Sequence, residues 1–192
     1  MKMNNIVLLT AFAVLSFNAN AGEFDGISAG FNVNSTRGET KLVDPAGPFD
    51  GYLNHNSTTG TIFGQYGYVA SENMLLTVGA SYDVNDTKLS STAKLKNHYA
   101  VYLEPGYVID KSTLLYGKIG YHAAKFHSTD NGSVTTSNMN GIGYGVGIRN
   151  KLDKQFFVQV ELEQVNYSKK TVNTAQVTPH ITSINVGVGY QF

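Results

Sequence analysis

The sequence predicts an all-β fold, an eight-stranded antiparallel up-and-down transmembrane β-barrel. Three observations predict it. From Gly22 onward apolar residues recur with period two in eight segments, the spacing of strands rather than helices. None of those apolar positions carries a charge, and the charges within the same segments fall on the opposite face. The connections alternate between short and long, as they do in outer-membrane barrels.

The first element is a targeting segment. Lys2 supplies a positive start, Ile6 to Phe17 forms an apolar run of roughly 12 residues, and Ala19-Asn20-Ala21 is a small-x-small cleavage site. The run is shorter than the roughly 20 residues that a spanning helix needs. Cleavage after Ala21 leaves residues 22–192 as the outer-membrane β-barrel domain, with 13 basic and 14 acidic side chains. Nothing after Phe17 reads as a membrane helix, so a spanning mature chain must be a closed barrel whose backbone groups pair with one another.

The strands follow in order. Ile27, Ala29, Phe31 and Val33 make the first apolar face; Ile62, Gly64, Tyr66 and Tyr68 the second; Leu76, Val78, Ala80 and Tyr82 the third. Tyr99, Val101, Leu103, Pro105 and Tyr107 make the fourth, and Leu115, Gly117, Ile119, Tyr121 and Ala123 the fifth. Ile142, Tyr144, Val146 and Ile148 make the sixth; Phe156, Val158, Val160 and Leu162 the seventh. Ile184, Val186, Val188, Tyr190 and Phe192 close the set. Short turns are expected at 71–73, around Asp110-Lys111 and at 151–154, and long polar loops at 35–56, 85–97, 127–139 and 168–178. Pro105 cannot donate a ladder bond, which predicts a bulge or a missing bond there, with an early end of the strand as the alternative.

An apolar face must meet either lipid or a core. A soluble barrel would turn it inward and cover its outside with Lys and Glu. Here the opposite face is mostly Gly, Ser, Thr, Asn and Gln, including Gly141, Gly143, Gly145 and Gly147. Small residues suit the narrow interior of eight strands, so the charge-free face is assigned to lipid. Asp83, Glu104, Lys118, His122, Arg149, Glu161 and Glu163 then form an interior polar network. Glu104 and Lys118 are equidistant from a hairpin centred on Lys111, which predicts that they face each other and pair.

Composition excludes several functions. The chain has 14 basic and 14 acidic residues, giving no excess that would suit nucleic acid, and it has no Cys, which removes disulfides and thiolate chemistry. No metal or cofactor site is expected, because the histidines show no ligand spacing suited to strands. The glycine run lacks the spacing and following helix of a phosphate loop. His127 and Ser128 invite comparison with outer-membrane lipid deacylases, but neighbours in a strand point to opposite faces, so no catalytic residue is assigned.

The C-terminal run Asn185-Val186-Gly187-Val188-Gly189-Tyr190-Gln191-Phe192 resembles the closing strand of OmpX/Ail-type small barrels, and the mature chain is loosely similar to the OmpA membrane-domain superfamily. Leu103-Glu104-Pro105-Gly106-Tyr107 and 115–121 extend the likeness. The resemblance implies an assembly signal at Val186, Val188, Tyr190 and Phe192, read by the barrel-assembly machinery. It also implies a non-enzymatic outer-membrane protein whose external loops serve adhesion, resistance to host defence or envelope maintenance. The expected partners are membrane lipid, lipopolysaccharide and a surface or host ligand; Lys88, Lys94 and Lys96 read first as solvated loop charge, with contact to lipopolysaccharide phosphate or a host ligand as the alternative. A narrow channel for ions or small solutes and a lipid-modifying enzyme remain alternatives.

Overall fold

The computed structural model describes residues 23–43, 50–90, 92–130, 133–172 and 175–192. The targeting segment and its cleavage site lie outside the described residues. Eight long strands run β1 (Gly26–Val43), β2 (Asp50–Ser71), β3 (Met74–Asp83), β4 (Ala93–Asp110), β5 (Thr113–Asp130), β6 (Ser133–Lys151), β7 (Phe156–Tyr167) and β8 (Ala175–Gln191). Each pairs antiparallel with its neighbour in sequence, and β8 returns to pair with β1, so the sheet closes into a ring. Closure leaves no sheet edge within the ring to meet lipid. Two short strands, Thr87–Lys88 and Lys170–Val172, flank β4 and β8.

The apolar faces point outward as their period predicts. Val78, Val101, Ile119, Val146, Leu162 and Val186 are each about half exposed on the outside of the ring, while their strand neighbours are turned inward. Such a surface on a closed sheet is a lipid-facing belt. Tyr82, Tyr99, Tyr121 and Tyr144 lie on this outer face toward the long hairpins; Tyr68, Tyr107, Phe156 and Phe192 lie on it toward the short turns.

The short turns fall where expected. Asp110 Oδ1 accepts from the Ser112 amide and hydroxyl at 2.8 Å each, and Asp153 Oδ1 accepts from the Gln155 and Phe156 amides at 2.7 Å each. Both are side-chain-to-backbone turns of the kind Asp favours.

The regions expected as long loops differ. Of 35–56, the described residues 35–43 and 50–56 belong to the ladder, which runs from Gly26↔Gly67 to Val43↔Asp50 without a shift. β5 and β6 likewise pair out to Asp130↔Ser133. The apolar alternation stops at the membrane boundary, but ladder bonds need only backbone groups, so the hairpins continue beyond it.

Pro105 leaves a gap in the β4–β5 ladder between Leu103↔Ile119 and Gly106↔Tyr116, with no change of register. The missing-bond expectation describes it; a bulge does not. A register shift lies higher in this strand, between Lys96 and Tyr99, where Asn97 takes a φ of 50°, and a second lies between Val108 and Asp110 beside the turn.

Candidate functional site

The interior begins with side chains that the alternation turns inward. Glu104, His122, Arg149 and Glu161 are each no more than 3% exposed and Asp83 is 9% exposed, while Lys118 and Glu163 are nearly as deep. Charges this deep require partners. Arg149 Nη2 donates to Glu104 Oε2 at 3.0 Å and its Nε to Gln159 Oε1 at 2.9 Å. The guanidinium is held between the Tyr116 and Phe157 rings, 5.0 Å from each centre. In the amide orientation that satisfies both of its ends, Gln65 accepts from Arg149 Nη1 at 2.9 Å and donates to the Tyr102 hydroxyl at 3.2 Å.

Lys118 Nζ contacts Glu161 Oε1 at 3.0 Å and Glu163 Oε1 at 3.4 Å. The expected Glu104–Lys118 ion pair is therefore replaced by two others, although the register does set those residues opposite each other. The reason lies in β6. Lys118 pairs with Gly145, and Gly145 pairs with Glu163, so the ammonium leans across a residue with no side chain to reach β7. The glycine run works by the same means elsewhere. A Cβ at Gly143 would collide with the His122 ring, and one at Gly147 with the Tyr116 ring.

His98 joins the network although periodicity did not assign it. The bulge at Asn97 reverses the parity of β4: Leu95 faces inward above it, and His98, Ala100 and Tyr102 face inward below it. His98 Nδ1 lies 2.7 Å from Asp83 Oδ2, and its Nε2 lies 3.0 Å from His122 Nδ1. The two rings stack at 5.2 Å. A positive-φ Asn inside an otherwise regular strand is the one local signal that marks this bulge.

Apolar layers close the polar interior at both ends. Toward the long hairpins, Leu89, Leu95, Phe126, Met139, Val165 and Ile181 form a buried cluster, with Leu89 inserted from the segment between β3 and β4. Toward the short turns, Phe24, Leu75, Leu114 and Tyr116 form another. Between them remains a cavity of about 50 Å³ lined by Asp83, His98, Tyr102, Lys118, His122 and Glu163, among others. That is room for about four water molecules.

On the outside, Lys96 lies directly opposite Lys125, and Lys88 opposite Lys94, just beyond the tyrosines at 99 and 121. Lys94 pairs with Asp86 at 2.8 Å. His127 Nδ1 contacts Thr136 Oγ1 at 3.2 Å, while Ser128 pairs across the ladder with Ala93 and Thr135. His127 and Ser128 are not brought together. At the C-terminus Val186 and Val188 face outward, and the Tyr190 ring meets Phe156 and Phe192 edge-on at 5.1 Å each. Among the described residues no cluster of His, Asp or Glu is arranged to hold a metal ion.

The chain matches the family model described as outer membrane protein beta-barrel domain over residues 6–192. No curated protein matches it. Among solved structures it is similar to Ail, the attachment invasion locus protein of Yersinia pestis, with a TM-score of 0.55 and 14% identity over 87% of this chain and 99% of that one. A second structure of Ail, in complex with the heparin analogue sucrose octasulfate, gives 0.51 at 14% identity over the same 87% and 99%. OprG from Pseudomonas aeruginosa gives 0.50 at 12% identity, over 88% of this chain and 96% of that one. These identities speak for the fold, and the family places the protein in the outer membrane. A closed ring of eight strands, a charge-free outer belt and a family match across almost the whole chain lead to one conclusion: the chain belongs to the outer membrane protein beta-barrel domain family.

Proposed function

We propose that this is a non-enzymatic surface barrel that acts through its outer rim, where a lysine patch holds polyanions such as the phosphates of lipopolysaccharide. The observation that carries the reading is the pairing of Lys96 with Lys125 and of Lys88 with Lys94 on the outward face. Like charges set directly opposite one another destabilise a sheet. Asp86 offsets one of the four lysines, so the patch suits a multiply charged anion lying over the tyrosine ring. The heparin analogue in complex with Ail is such an anion, and a barrel of similar fold holding one supports a polyanion reading. Adhesion and resistance to host defence are the roles such a rim serves.

The two apolar layers support a closed interior over the channel alternative, because hydrophobic constrictions exclude water and ions. The opposite orientations of His127 and Ser128 support the non-enzyme reading over lipid modification. Export by cleavage after Ala21 and recognition of Val186, Val188, Tyr190 and Phe192 by the assembly machinery complete the proposal. The outward alternation of those four side chains along a closing strand is what an added-strand complex would read.

The test is binding of the refolded protein in neutral nanodiscs to purified lipopolysaccharide and to its dephosphorylated form. Binding should require phosphate, weaken with salt, and fall at least about tenfold in Lys96→Gln/Lys125→Gln, equal to about 1.4 kcal/mol. Equal binding of the phosphorylated and dephosphorylated forms would end the proposal.

A further inference from the structure

We infer that the lumen holds one extra proton, shared between His98 and His122 in an Asp83–His98–His122–Glu163 chain, as a built acid–base site. The argument rests on which nitrogens can donate. Asp83 Oδ1 accepts from the Thr61 hydroxyl at 2.6 Å, and its Oδ2 faces His98 Nδ1 at 2.7 Å, so Nδ1 carries a hydrogen. If both imidazoles are neutral, His98 Nε2 is a lone pair and must accept from His122 Nδ1–H across the 3.0 Å contact. His122 Nε2 is then also a lone pair, aimed at Glu163 Oε1 3.6 Å away. Both side chains line the cavity, where Lys118 Nζ also lies 3.4 Å from Glu163 Oε1. Two acceptors facing each other inside a protein are unfavourable.

One added proton repairs every link. With it on His98, Nε2–H donates to His122 Nδ1, and His122 turns its Nε2–H toward Glu163. With it on His122, Nδ1–H donates to His98 Nε2, and Nε2–H still faces Glu163. The two arrangements interconvert by moving one hydrogen along one hydrogen bond. A second proton sets N–H against N–H and breaks the contact, so the pair takes one proton and resists another.

The counter-charge in direct contact with the pair is Asp83, 2.7 Å from His98. Around the pair stand the carboxylates of Asp83 on β3, Glu104 on β4, and Glu161 and Glu163 on β7, against the cations Lys118 on β5 and Arg149 on β6. With neutral imidazoles the interior carries two uncompensated negative charges; the shared proton reduces this to one. Tyr167 sits edge-on to His98 at 6.5 Å. β6 presents only Gly143 to the His122 ring. Apolar clusters lie above and below the site.

Histidine-selective 15N labelling of the full mature chain, refolded in nanodiscs at pH 7.5, tests this. His55, His127 and His180 are assigned by single Gln variants, leaving the four ring nitrogens of His98 and His122. Three of those four should carry hydrogen, with an N–N coupling across the shared bond. Asp83→Asn, with folding confirmed by heat-modifiable gel mobility, should reduce the count to two. The wild-type spectrum decides the matter even if that variant does not fold. Two protonated nitrogens in the wild-type pair, or four, would overturn the inference, as would three retained in a folded Asp83→Asn barrel.

Discussion

Replacing Arg149 by Met tests the interior most directly. The guanidinium is 3% exposed, binds Glu104 at 3.0 Å and Gln159 at 2.9 Å, and is sandwiched by two rings at 5.0 Å. Methionine preserves most of the side-chain volume, so the loss is mainly electrostatic. Removing one partner of a buried ion pair costs about 3–5 kcal/mol, because the other charge is left uncompensated. Glu104, also 3% exposed, is that orphan. Adding Glu104→Gln removes the stranded charge and should restore more than half of the loss. Arg37→Met is the control: Arg37 pairs with Glu39 at 3.2 Å, but these side chains are 60% and 48% exposed, and such pairs contribute less than about 1 kcal/mol. Reversible urea unfolding in thin-bilayer vesicles, followed by tyrosine fluorescence and gel mobility, supplies the free energies. A loss in Arg149→Met no greater than in Arg37→Met, or no rescue by Glu104→Gln, would refute the reasoning.

Two further outcomes are expected. Ile119→Lys, on the lipid face, should destabilise the barrel by about 2–4 kcal/mol in the same assay, and Val186→Asp should also impair assembly. Asn185→Lys, which faces inward within reach of Glu161, should be tolerated better; equal tolerance on the two faces would contradict the assigned orientation. At the short turn, hydrogen bonds from the Phe156 and Gln155 amides hold the Asp153 carboxyl below its ordinary range. Its contribution is therefore present above the unfolded carboxylate range near pH 3.9 and fades as the pH falls through the lower, folded value. Asp153→Ala should lose stability at neutral pH and show a flatter acid limb when unfolding midpoints are compared between pH 2 and 6.

The eight strands, the direction each face points and the inward placement of Asp83, Glu104, Lys118, His122, Arg149, Glu161 and Glu163 were legible in the chain, because side-chain alternation is a local property with a period of two. The same locality explains what was missed. The polar stretch 35–43 reads as loop by composition, yet its backbone continues the ladder, since pairing does not need apolar side chains. Leu89 and Leu95 lie in a segment without periodicity, and their role in capping the interior appears only once β5 to β8 curve around to meet them.

Order along the chain determined a barrel with lipid outside and charge inside. Only ring closure decided which charge meets which. Arg149 reaches Glu104 across the lumen, Lys118 leans over Gly145 to Glu163, and one extra residue at Asn97 swings His98 onto His122. Those contacts join residues far apart in sequence, and their distances depend on strand register and on the narrow radius of the closed sheet.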